Sequence, residues 1–204
     1  MLGKMSQKVF VQVYVLLLLN LFFWAFTIIG GVILGIGPAL RAISELYLDS
    51  QSDYQNVKFQ TGWRYFKQYF WLANGQFWAF ASVFALLAYN LFLSAQLTGL
   101  WVLLVQFILF FVLAATLVTG GYTLLLVSRF EVTTKNAIML AIGQLFENFT
   151  QFLITVAGLV AIGVASYFWP GLLIFLTMAT AIKWLNHCGK RWYAHIDTLL
   201  AGGH

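Results

Sequence analysis

The stretch Gln68–Ser128, QYFWLANGQFWAFASVFALLAYNLFLSAQLTGLWVLLVQFILFFVLAATLVTGGYTLLLVS, holds 61 residues and no Asp, Glu, Lys or Arg. A helix needs about 20 apolar residues to cross a hydrocarbon core of about 30 Å, so this block is long enough for two crossings and a turn. Ser94-Ala95-Gln96-Leu97-Thr98-Gly99 supplies the turn. The block therefore reads as a hairpin of spans near 76–93 and 100–126. Two more uncharged blocks flank it, Val9–Leu40 with 32 residues and Asn148–Ile182 with 35. Soluble domains carry about 25% charged residues. Here the charged share is 8%, against 62% hydrophobic and a mean hydropathy of +0.87. The fold class is all-α, a single polytopic helical membrane domain over 1–204.

The first block reads as a span near 10–34. Lys4 and Lys8 before it resemble the start of a signal peptide, but the apolar run is too long and no small-residue cleavage site closes it. It is expected to be a retained span. Gly30, Gly31, Gly35 and Gly37 stud its end, and Pro38 follows. Pro is tolerated in the first helical turn, so a short helix is expected over 38–48. Arg41 and Glu45 lie i, i+4 on it and can pair. Gly35, Gly37, Pro38, Arg41 and Glu45 together mark the structurally unusual element of the chain, a candidate re-entrant segment.

An amphipathic helix is expected over 59–71. Phe59, Trp63, Phe66 and Phe70 share one face, with Gln60, Arg64 and Lys67 about 100° away. Such a helix suits the membrane interface, or it packs its aromatic face under the bundle. A cluster of Arg129, Glu131 and Lys135 closes the central block. As a single helix the last block would measure ~52 Å, too long for one crossing. Trp169-Pro170-Gly171 near its middle divides it into spans near 152–168 and 170–186.

Charge placement bears on the number of spans. Lys and Arg number two at the N-terminus, four over 41–67, none over 94–99, two over 129–135 and three near the C-terminus. Dividing the last block puts the last three basic groups, nine residues, on one side, as the positive-inside rule requires. Five or six spans satisfy the rule and four do not. The C-terminus is then expected on the cytoplasmic side.

Chemistry-bearing residues are few. Ionisable groups inside a membrane are functional by default, and the central block has none. Asn20, Asn90, Gln96, Gln106 and Thr119 are the polar residues at or near membrane depth; such side chains serve helix–helix hydrogen bonding more often than substrate. His187 and Cys188 are adjacent, and His195 lies about two turns on, a poor set of metal ligands. One cysteine excludes an internal disulfide. No nucleophile, metalloprotease or phosphate-loop motif occurs. The longest hydrophilic stretch, Asp49–Gln60, is 12 residues and leaves no room among these 204 for a soluble catalytic unit. The net charge of +5 follows from topology, so no nucleic-acid partner is expected. No enzyme activity, cofactor or metal is expected either.

Asn20-Leu21-Phe22-Phe23-Trp24, Gly35-Ile36-Gly37-Pro38-Ala39-Leu40-Arg41-Ala42 and Thr61-Gly62-Trp63-Arg64-Tyr65-Phe66-Lys67-Gln68-Tyr69-Phe70 resemble the YesL-like family of bacterial membrane proteins. The resemblance runs from Asn20 to Ala73, with length and block order in agreement beyond it. It implies a multi-pass protein of the bacterial cytoplasmic membrane, without a settled activity, associated with ATP-driven carbohydrate importers. The expected role is a non-enzymatic accessory subunit, embedded in the lipid bilayer and bound to the permease or ATPase subunits of such an importer. Trp63, Arg64, Phe66 and Lys67, with Arg129 and Lys135, are the expected docking residues. An independent small-solute transporter or channel is the alternative, with a membrane partner of a sensory system the third.

Overall fold

The computed structural model describes residues 2–52, 54–130 and 132–201. Glu131 and the side chains of Lys4 and Lys8 lie outside the described residues. All regular structure among the described residues is helical: α1 Leu2–Ile29, α2 Ile36–Ser52, a 3-10 turn Tyr54–Asn56, α3 Phe59–Gln68, α4 Phe70–Ser94, α5 Leu100–Arg129, α6 Thr134–Glu147, α7 Phe149–Phe168, α8 Pro170–Phe175 and α9 Thr177–Ala201. Among the described residues, four segments are long and apolar enough to cross a membrane: Val9–Ile29, α4, α5 and α7. The outward faces of α4 and α5 expose Phe92, Leu100, Trp101 and Phe107, a surface that suits hydrocarbon and would aggregate in water.

The first span stops five residues short of the expected position 34. Gly31 takes a left-handed φ of +81°, which costs glycine nothing. The Gly31 N–H then donates to Ile28 O at 3.1 Å and the Val32 N–H to Thr27 O at 2.8 Å, a Schellman ending. The chain reverses, and Gly35 presses on the Thr27 backbone where no Cβ would fit. Helix α2 starts at Ile36, two residues before the expected start. Pro38 is the third helical residue, still in the turn whose N–H groups lack intrahelical acceptors. The helix also runs four residues beyond the expected end.

Other boundaries shift for similar local reasons. The amphipathic helix ends at Gln68, and one non-helical residue, Tyr69, separates it from α4. The span expected from 76 thus begins at Phe70. Helix α6 has no counterpart in the sequence reading; Thr133 caps it, its Oγ1 accepting from the Asn136 N–H at 3.4 Å. The segment expected as one span over 170–186 is divided at Leu176 into α8 and the start of α9.

Helix α2 occupies the middle of the bundle. It packs on α1, α3, α4, α5 and α9, with Ala39, Ala42, Ile43 and Leu46 fully buried. Leu19 and Phe26 of α1, Leu125 and Leu126 of α5 and Tyr193 of α9 complete the core around it.

Candidate functional site

Because α2 is central, its charges enter the interior. Arg41, Glu45 and Asp49 recur every four residues and so line one side of the helix. The Arg41 side chain is 5% exposed and its Glu45 partner 13%, with Nη2 2.8 Å from Glu45 Oε1. The same Nη2 donates to Val127 O on α5 at 2.6 Å. The guanidinium lies 4.5 Å from the centre of the Tyr69 ring. Its Nε and Nη1 have no hydrogen-bond partner among the described residues. Burial pushes the Glu45 carboxyl up to about 7 despite the opposing pull of Arg41. At the outer end, Tyr65 donates its hydroxyl to Asp49 Oδ2 at 2.9 Å. Burial first, then Asp49, raises that phenol above its ordinary value.

The column opens into a polar pocket of about 310 Å³ lined by Asp49, Asn56, Lys58, Thr61, Arg64 and Tyr65. A row of charge therefore runs from a surface pocket to the middle of the bundle. Only the Arg41–Glu45 pair was legible from spacing. The acceptors Val127 O and Asp49, and the Tyr69 ring, come from other turns or other helices.

The expected docking residues separate into two groups. On α3 the aromatic face turns inward: Phe59 meets Phe22 and Phe26 at 5.5 and 5.1 Å between ring centres. Phe66 meets Phe26 at 5.5 Å and stacks on Trp63 at 5.2 Å. Phe66 is 3% exposed and belongs to the core; Trp63 is half-buried. Arg64 and Lys67 remain exposed, Lys67 with its ammonium 5.7 Å above the Trp63 ring. Arg129 faces α9, pairing with Asp197 at 3.3 Å and lying 5.3 Å from the Tyr193 ring centre. Lys135 is exposed on the first turn of α6. Arg64 and Lys67 share a surface, while Arg129 belongs to the α5–α9 contact.

Asn20, Asn90 and Gln106 each donate to a carbonyl of the protein itself. Asn20 is fully buried and holds the α8–α9 break. Its Nδ2 donates to Leu173 O and Ile174 O at 3.0 and 2.6 Å, and its Oδ1 accepts from the Met178 and Ala179 N–H groups at 2.8 and 3.2 Å. Trp24 adds a bond to Leu173 O at 3.1 Å. Asn90 returns to Leu86 O at 2.7 Å, and Gln106 closes the α4–α5 hairpin on Ser94 O at 3.0 Å. Thr119 is buried, and Gln96 is exposed in the hairpin turn. Among the described residues no group of three or more His, Cys, Asp or Glu could hold a metal ion.

Residues 16–91 match the family described as "Protein of unknown function, DUF624". YesL-like proteins belong to that family, so the resemblance read between Asn20 and Ala73 is borne out. The matched stretch contains the whole α2 column and its Tyr65 and Tyr69 partners. No curated protein and no solved structure matches the chain.

Proposed function

We propose, on the premise of this match to a family without an assigned activity, that the protein is a non-enzymatic accessory membrane subunit. Its partner would be the permease or ATPase subunits of a bacterial carbohydrate importer. The observation that carries the docking half of the reading is the exposure of Arg64 and Lys67 on a helix whose aromatic face is fixed to α1. Rigid, exposed cations beside a half-buried Trp63 offer a partner a preorganised basic surface. The sugar-importer half rests on the family resemblance alone. Independent solute transport has less support, because Asn20 is fully buried and bonded to the α8–α9 break through both its nitrogen and its oxygen.

Substituting Arg64→Glu and Lys67→Glu together should release the co-purifying importer subunits, with affinity lower by about tenfold or more. The thermal stability of the purified protein should not change, since neither side chain is buried. Mild-detergent purification from the native host, with partners identified by mass spectrometry, measures this. Undiminished co-purification of the double variant would count against the surface, and absence of any importer subunit against the role.

In the same reading, α8 and the first turns of α9 complete a fifth crossing in the cytoplasmic membrane. The support is the clamp by Asn20 from within the first span and the packing of α9 on α7. The basic loops and the C-terminus would share the cytoplasmic side. Cysteines at Gln96 and Lys190, in a Cys188→Ser background, check it. An impermeant reagent applied to intact cells should label the first and spare the second.

A further inference from the structure

The polar pocket of about 310 Å³ at the outer end of the α2 column holds charges of both signs. Asp49 enters it from the last turn of α2, and Lys58, Thr61 and Arg64 enter from the first half of α3 and its N-cap. The ion pairs among the described residues are Arg41–Glu45 and Arg129–Asp197. Lys58 and Arg64 therefore share the pocket with a carboxylate and pair with none. Tyr65 neighbours both signs: its hydroxyl donates to Asp49 Oδ2 at 2.9 Å, and the Arg64 guanidinium lies 5.3 Å from its ring centre. Lys58 holds the N-cap position of α3, and its side chain makes no cap hydrogen bond. The first N–H groups of α3 thus add to the positive end of the pocket.

We propose that this pocket binds a phosphoethanolamine group, the head of phosphatidylethanolamine, its phosphate on Lys58, Arg64 and the Thr61 hydroxyl and its ammonium on Asp49. A simple anion would suit the two cations but be repelled by Asp49. A simple cation meets the reverse. A ligand with a phosphate and a primary ammonium a few bonds apart answers both, through charge-assisted hydrogen bonds at each end. The place of the pocket favours a lipid as the source. Only Tyr69 separates α3 from α4, a segment able to span a membrane. Arg64 lies four residues before Gln68, where the charge-free block begins, and one helical turn is about 5.4 Å. The pocket is therefore close to the membrane surface, where basic pockets take up lipid headgroups. This binding is independent of the importer reading and needs no partner subunit.

The test titrates the full chain, delipidated in mild detergent, with three phospholipids of identical acyl chains, and native mass spectrometry counts the bound lipid. Phosphatidylglycerol offers the phosphate without the ammonium, and phosphatidylcholine offers a cation with no N–H to donate. Phosphatidylethanolamine should bind about tenfold tighter than either. Asp49→Asn, which still accepts from Tyr65, should reduce phosphatidylethanolamine to the level of phosphatidylglycerol and leave phosphatidylglycerol no weaker. Lys58→Gln with Arg64→Gln should weaken all three lipids about tenfold. Both cations are exposed, so that variant keeps the test open should Asp49→Asn fail to fold. Free glycerophosphoethanolamine is titrated in competition. Displacement of the lipid by an equal concentration of it would assign the pocket to a soluble phosphate ester and overturn the lipid source. Phosphatidylethanolamine binding no tighter than phosphatidylglycerol overturns the proposal, as does binding indifferent to Asp49→Asn or to loss of the two cations.

Discussion

Asn20 shows what a single side chain does where a helix breaks inside a bundle. The α8–α9 break frees carbonyls at Leu173 and Ile174 and N–H groups at Met178 and Ala179, and one carboxamide meets all four. Apolar surroundings offer no substitute partner, which is why irregular backbone at this depth needs protein to cover it. Asn20→Leu should cost about 3 kcal/mol or more, since each orphaned buried group costs ~1–3 kcal/mol. Trp24→Phe removes only a second bond to Leu173 and should cost under about 1 kcal/mol. Denaturant titrations of the two variants in detergent would separate these values. Equal losses would remove the special place of Asn20.

At the scale of elements, the α1–α2 corner decides where α2 goes. Gly31 adopts its left-handed conformation freely, but Val32 sits at φ +60°, which is costly for a β-branched residue. Its side chain is exposed and makes no compensating core contact. Val32→Gly should therefore raise stability by about 1 kcal/mol, read as a higher unfolding temperature. A lower unfolding temperature would mean that the valine side chain contributes more than its backbone costs. The sequence reading placed a glycine-rich break here but ended the helix late, because the capping geometry depends on which glycine turns left-handed. Helix α6 is not legible in the sequence alone. Its mixed composition lacks a charge-free run, and its buried Ala137, Ala141 and Leu145 gain meaning only from the α5 and α7 surfaces beside them.

For the molecule as a whole, the buried Arg41–Glu45 pair makes stability depend on pH. The Glu45 carboxyl is raised from 4.5 to about 7 in the fold. Its stabilising contribution is thus fully present below about 4.5 and lost as pH rises through about 7. Glu45→Gln should flatten that decline, measured as unfolding temperature across the window. An unchanged slope would place the titrating group elsewhere. Because α2 touches five other helices, the pair's ionisation acts on the centre of the bundle, not on its edge.

The charge-free blocks determined by themselves that this is an all-helical membrane protein. A hydrocarbon core admits long apolar helices whatever their neighbours, so length and composition suffice. Spacing likewise determined the Arg41–Glu45 pair, since i, i+4 residues meet on any helix. The tertiary structure alone decided that α2 lies at the centre, that Phe66 belongs to the core, and that Asn20 closes a break 153 residues away. Each of these depends on which surface another helix presents. That information is distributed over distant parts of the chain and is not carried by any local pattern.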